Sequence, residues 1–252
     1  MRTIDLNADL GEGYGRWPLD DRGLLDLVSS ANVACGFHAG DPQVMERTVA
    51  DATARGVAIG AHPGYPDLRG FGRRELGATP DEIRADVTYQ RGALAAFCMA
   101  AGTRLRYVKP HGALYNRAAR DEGAARAIAE AVGTVDTDLA VLTLPGSALA
   151  HAAESCGLRA AREAFLDRAY RADGTLVPRG EPGAVLHDPA DAAARAVRLA
   201  TEGTLLAADG TVLSVTPDSL CVHGDGEGAV ALLRTVRDAL TAAGLTIHPF
   251  AG

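Results

Sequence analysis

Tyr107-Val108-Lys109-Pro110-His111-Gly112-Ala113-Leu114-Tyr115-Asn116 reads as a buried strand that carries chemistry into a turn. Leu105 to Val108 is a mostly apolar run. It ends in a cation, a rigid proline and an imidazole, and helix-compatible sequence follows. Barrels and open α/β sheets build their sites from side chains at the C-terminal ends of parallel strands. The same grammar recurs in Val33-Ala34-Cys35-Gly36-Phe37-His38, in Ala58-Ile59-Gly60-Ala61-His62 and in Leu220-Cys221-Val222-His223-Gly224-Asp225. Four of the 7 histidines thus fall at strand ends and are expected to converge on one face of a parallel sheet.

Working outward, Thr3 to Leu10 is a strand in which Asp5, Asn7 and Asp9 share a face at period two, between apolar neighbours. A solvated edge is one reading of that face; the interior of a barrel near its mouth is the one favoured. Asp20 to Ser30 has helical spacing, and Asp41-Pro42 is a cap followed by proline at the first helical position. That places His38 in the loop above the sheet. The helix from Pro42 to Arg55 stops at Gly56, and Val57 to Ala61 is a strand ending in His62. Leu68 to Glu75 is a glycine- and arginine-bearing loop of the kind that forms lids or binding loops, where Arg73 suits a carboxylate or phosphate. Thr79-Pro80-Asp81-Glu82 opens a helix running to Ala101.

Leu139 to Thr143 is a strand, and Ser147 beyond it is an N-cap; no GxSxG elbow surrounds it. Leu158 to Glu163 is the sixth strand, at whose end Glu163, Asp167 and Arg168 are expected to emerge together. Asp188-Pro189 caps a helix to about Glu202, Asp209-Gly210 marks a hairpin, Leu220 to Val222 is the last core strand, and Ala229 to Ala243 is the final helix. Cys35, inside an apolar strand, is read as core rather than as a nucleophile. About seven strands alternating with helices predict an α/β fold, a TIM-like (β/α) barrel rather than an open doubly wound sheet. No repeat or linker divides residues 1–252, so a single domain is expected.

Composition narrows the function. With 252 residues and 47% hydrophobic content the chain has material for one large core. A net charge of −7 and no basic, aromatic-interleaved patch speak against nucleic acid. No apolar run approaches the ~20 residues that cross a bilayer, and no signal peptide precedes the first strand. The 4 cysteines are far apart with no CxxC pair. A soluble cytoplasmic protein is expected. Gly11-Glu12-Gly13-Tyr14-Gly15 lacks the dinucleotide spacing, and no Walker lysine follows it.

The polar residues expected at the C-terminal face are Asp5, Asn7, Asp9, His38, His62, Lys109, His111, Glu163, Asp167, His223 and Asp225. Such a set suits a divalent metal that polarises a carbonyl and activates water. It equally suits metal-free acid–base chemistry in which Lys109 holds an oxyanion. Both point to hydrolysis of an acyl or amide-like bond. A non-catalytic anion-binding or carrier protein is the third reading.

Asp5-Leu6-Asn7-Ala8-Asp9-Leu10-Gly11-Glu12, Ala34 to Pro42, Gly60-Ala61-His62-Pro63 with Gly70-Phe71-Gly72-Arg73-Arg74, Val108 to Asn116, and Cys221-Val222-His223-Gly224-Asp225 together resemble the LamB/YcsF family. The resemblance spans almost the whole chain. It implies a seven-stranded TIM-like barrel akin to the glycoside hydrolase/deacetylase group. It also implies the role of the A subunit of an ATP-dependent 5-oxoprolinase, a cyclic-amide hydrolase that cleaves 5-oxo-L-proline to L-glutamate with ATP going to ADP and phosphate. The 5-oxoprolinase subunits B and C would be the partners. ATP with its Mg2+ would bind those subunits or this chain, and a homo-oligomer is compatible. Within that scheme Asp9, His38, Lys109, His111 and Glu163 are the expected catalytic residues. Asn7, His62, Arg73, Asp167, Arg168 and Asp225 are the expected substrate-binding ones, and His38, His111 and His223 are candidate metal ligands. The alternatives are a metal-dependent deacetylase or amidohydrolase, and a lactam- or anion-binding subunit.

Overall fold

Seven parallel strands close on themselves in the computed structural model of the chain, which describes residues 2–17, 19, 21–224 and 228–252. They are β1 (Thr3–Leu10), β2 (Ser30–Ala34), β3 (Ala58–His62), β4 (Tyr107–Val108), β5 (Ala140–Thr143), β6 (Arg159–Phe165) and, beyond an antiparallel hairpin of β7 (Thr204–Leu206) and β8 (Val212–Ser214), β9 (Ser219–Val222). Neighbours pair in chain order, and β9 returns to β1 with Asp5 opposite Ser219 and Ala8 opposite Val222. A further strand, β10 (Thr246–Ile247), lies parallel to the first residues of β1. Two residues leave no periodic signal, so sequence spacing does not reveal it.

Around the barrel run α1 (Arg22–Leu25), α2 (Pro42–Ala54), α3 (Pro80–Ala100), α4 (Gly112–Ala118), α5 (Glu122–Gly133), α6 (Ala148–Ser155), α7 (Pro189–Glu202) and α8 (Ala229–Ala242). Their starts are where the capping chemistry puts them. Asp41 accepts from the Gln43 and Val44 amides, Asp188 from those of Ala190 and Asp191, Ser147 from that of Ala150, and Thr79 forms a reciprocal box with Glu82. Each such cap stabilises its helix by about 1 kcal/mol. The exception is the helix expected over 20–30, of which only Arg22–Leu25 is helical. Two interactions break it. The Asp21 carboxylate turns to the Gly11 amide at 2.6 Å, and Ser29 is drawn to Asp5 in the barrel, its hydroxyl 2.6 Å from Oδ1. Leu27 and Val28 are buried all the same, so the apolar spacing reported burial rather than helix.

The barrel interior departs from the usual wholly apolar filling of parallel strands. Its lower half is apolar on one side, where Tyr107, Ala140, Leu142 and Ala161 pack together with Phe250 against them. The rest is polar and still fully buried: Asp5, Asn7, Ser30, Asn32, Glu163 and Ser219 are all within 1% of complete burial. Gly60 on β3 makes room for the Tyr107 ring, whose hydroxyl donates to Asn32 Oδ1 at 2.7 Å. A Cβ at position 60 would lie inside the ring's van der Waals surface. Gly60→Ala is therefore expected to lower stability by about 3 kcal/mol, at the upper end of overpacking costs, measured by urea unfolding.

Candidate active site

The polar interior is one connected ladder that rises to the barrel mouth. At the bottom the Asp5 carboxylate accepts from Ser29 and Ser30, each at 2.6 Å, and from Ser219. One level up, the Asn7 amide donates to Ser219 at 2.6 Å, while Asn32 donates to Asn7 at 2.7 Å and to Asp9 at 2.8 Å. At the top the Lys109 ammonium reaches Asp9 Oδ1 at 3.0 Å, Glu163 Oε1 at 2.8 Å and Cys221 Sγ at 3.1 Å. Burial works against the charge on Lys109, but Asp9 and Glu163 overcome it and hold its pKa well above the usual lysine value. Burial likewise works against the Asp9 carboxylate, and Lys109 with His62 brings it well below the usual range. A buried cation clamped between two carboxyls is costly to build unless every partner is present.

Asp5 behaves differently. Burial pushes its pKa up to about 6, against the three hydroxyls that pull it down. The folded state then binds a proton more tightly than the unfolded chain, so stability should fall as pH rises from about 4 to about 6. The drop is on the order of 2–3 kcal/mol. Asp5→Asn should flatten that slope, which denaturation curves across the window would show.

Above the ladder three imidazoles and a carboxylate crowd together. His38 follows β2 in a loop, His62 ends β3, His111 immediately precedes α4, and Glu12 follows β1. The His38 and His111 rings stack at 3.7 Å and 3°. His62 Nε2 lies 3.0 Å from His111 Nδ1 and 3.4 Å from Asp9 Oδ2, and Glu12 Oε1 lies 3.3 Å from His38 Nε2. Burial, with the neighbouring histidines, holds the pKa of His38 and of His111 well below the usual histidine value. The loop after β3 closes over this group as a roof. Gly72 has a positive φ of 63°, and a Cβ there would meet His38 and His111 at 2.7 and 2.8 Å. The roof therefore needs glycine both for its turn and for its close approach to the rings.

A cavity of about 590 Å³ opens beside the cluster, with Asp9, Lys109 and His62 on its floor. Its walls carry Arg73, Arg120, Arg168, Arg171 and Arg179. Arg73 lies over the Phe71 ring at 4.9 Å, and Arg168 is fixed by the Val177 and Ala184 carbonyls. Burial, and then Arg179 nearby, brings the pKa of Arg168 down to about 10. On the far side His223 Nδ1 sits 2.8 Å from Asp167 and its ring stacks on Phe165.

Of the residues expected from sequence, Asp9, His62, Lys109, His111, Arg73, Arg168 and His223 line this cavity. Others are placed differently. Asn7 lies beneath Lys109 with its amide used in the ladder, so it braces the floor and does not face a ligand. Glu163 is not at a strand end: β6 continues to Phe165, leaving Glu163 opposite Ser219 inside the barrel, below Asp167 and Arg168. His223 is not with His38 and His111; it pairs with Asp167, and the residue beside those two is His62. Asp225 lies outside the described residues. Sequence reasoning missed Glu12 in the histidine cluster and Tyr115 on the cavity wall, although both stand inside quoted motifs, and it missed Arg171 and Arg179. Cys35 is core, its pKa pushed up to about 12 by burial.

The sequence profile of the LamB/YcsF family matches residues 4–252. Among curated proteins, the A subunit of 5-oxoprolinase from Kocuria rhizophila is 55% identical over the full length of both chains. That of Streptomyces avermitilis is 56% identical over 98% of this chain and 100% of its own. Among solved structures, a lactam utilization protein from Thermus thermophilus superposes with a TM-score of 0.93 at 50% identity, covering 98% of this chain and 99% of that one. No helix among the described residues is long and apolar enough to cross a membrane.

Proposed function

The chain belongs to the LamB/YcsF family, and from that premise and the site geometry we propose that it works as the A subunit of an ATP-dependent 5-oxoprolinase, opening the ring of an activated lactam. The observation that carries this reading is the cavity itself: a buried ammonium and carboxylate at its floor beneath a wall of arginines. 5-Oxo-L-proline bears one carboxylate, and an O-phosphorylated lactam bears a phosphoryl group as well. Guanidinium groups recognise both through forked hydrogen bonds.

The energetics explain why ATP is needed. Amide resonance makes the lactam carbonyl a poor electrophile, and phosphorylation of its oxygen supplies a leaving group while releasing ADP. Water then adds at the ring carbon, the C–N bond breaks, and nitrogen takes up the proton to give an acyl phosphate. A second water hydrolyses that to glutamate and phosphate. Asp9 faces the cavity in its carboxylate form and is placed to take the proton from water. Lys109 is held charged at the floor to stabilise the oxyanion. ATP with Mg2+ binds on partner subunits B and C, which carry out the phosphorylation. Glutamate release from 5-oxoproline and ATP tests this with the chain alone and with both partners: release only by the full mixture is expected. Equal release by the isolated chain would remove the division of labour.

A further inference from the structure

We propose that Glu12, His38, His62 and His111 form a binding site for one first-row divalent cation of the zinc type. All four are buried, and one ligand atom from each lies within 4.8 Å of all the others. With neutral rings, the hydrogen bonds at the centre of the cluster leave a gap that a positive charge between two nitrogens fills. His62 Nδ1 lies 2.7 Å from the Lys109 carbonyl, which can only accept, so the hydrogen is on Nδ1. His111 Nε2 lies 2.8 Å from the Phe71 carbonyl, so its hydrogen is on Nε2. The remaining nitrogens, His62 Nε2 and His111 Nδ1, then present lone pairs to each other at 3.0 Å.

The surroundings fit. Glu12 Oε1 stands 3.5 Å from that same His111 Nδ1 and 3.3 Å from His38 Nε2. Edges of about 3.3–3.4 Å are what a tetrahedron of ligands at about 2.0–2.1 Å gives. A ring nitrogen given to a backbone carbonyl on the side away from the ion is the usual outer support of a ligating histidine, and two of the three have it. The His38 and His111 rings stack face to face at 3.7 Å, so His38 turns out of that stack to bring its Nε2 onto an ion shared with His62 and His111. Three imidazoles and a carboxylate are a nitrogen–oxygen set suited to zinc, cobalt or iron rather than to calcium or magnesium. An ion held there lies at the cavity wall formed by Asp9, His62 and His111, where it would draw electron density from an oxygen in the cavity.

The test is titration of the chelator-treated full-length chain, with Co2+ followed by visible absorption and with Zn2+ by calorimetry. One equivalent per chain is expected, with the bands of nitrogen- and oxygen-ligated cobalt. His62→Ala and Glu12→Gln should each weaken binding by about 100-fold or more, and His223→Ala should leave it unchanged. His62→Asn, checked for native circular dichroism, stands in if the alanine variant does not fold. No stoichiometric binding, as a proton shared by His62 and His111 would give, overturns the proposal. So does binding that survives both ligand variants, or that falls equally with His223→Ala. The readout is metal rather than glutamate, so its failure leaves the ring-opening reading standing.

Discussion

Lys109→Met is expected to lower kcat/KM for glutamate release by about 10³-fold or more in the three-subunit mixture, since an oxyanion donor alone accounts for about 10²–10³. It should also destabilise the chain by about 3–5 kcal/mol, because it leaves Asp9 and Glu163 buried without their shared cation. The two effects can be separated. Glu163 touches the ammonium from inside the barrel and does not line the cavity, so Lys109→Met/Glu163→Gln removes one of the stranded carboxyls. Urea unfolding of the double variant should recover part of the lost stability, and the assay should recover none of the lost activity. Recovery of both would make Lys109 a structural residue.

Asp9→Asn should cost about 10²–10⁴-fold in kcat, the range of a general base removed in place. The substitution keeps the shape, and an amide oxygen can still face Lys109 and Asn32, so unfolding should shift far less than for Lys109→Met. KM should change little, because on the proposed reading the anionic groups are held by arginines such as Arg73 and Arg168 on the cavity walls. A large rise in KM with kcat preserved would assign Asp9 to binding.

Much of this architecture is legible in the unfolded chain. Asp5, Asn7 and Asp9 alternate with Ile4, Leu6, Ala8 and Leu10, and that alternation puts a polar face inside a barrel, where the ladder lies. The caps at Asp41, Thr79, Ser147 and Asp188 are local chemistry and mark helix starts correctly. What spacing does not carry depends on contacts far apart in sequence. Helix α1 is cut short because Asp21 and Ser29 are captured by Gly11 and Asp5. Glu163 reads as a strand-end residue because the length of β6 is set by pairing with β9, not by its own sequence. Arg171 and Arg179 reach the cavity because the connection after β6 folds back on itself, bridging Arg168 to Val185 and Tyr170 to Leu176. Glu12 has a signal, lying just beyond an alternating polar series, but Gly11 breaks the alternation with a φ of 70°.

In the proposed division of labour this barrel opens the ring after its partners have activated it. The most direct test measures phosphate and glutamate released together from 5-oxoproline and ATP by the complex carrying Asp9→Asn. Continued phosphate release with glutamate sharply reduced is predicted, because on the proposed reading the partners keep activating the lactam, and water attacking its phosphorus then breaks the P–O bond, giving back 5-oxoproline and free phosphate. Phosphate and glutamate falling in the same proportion would contradict it, and would place Asp9 in the activation step instead.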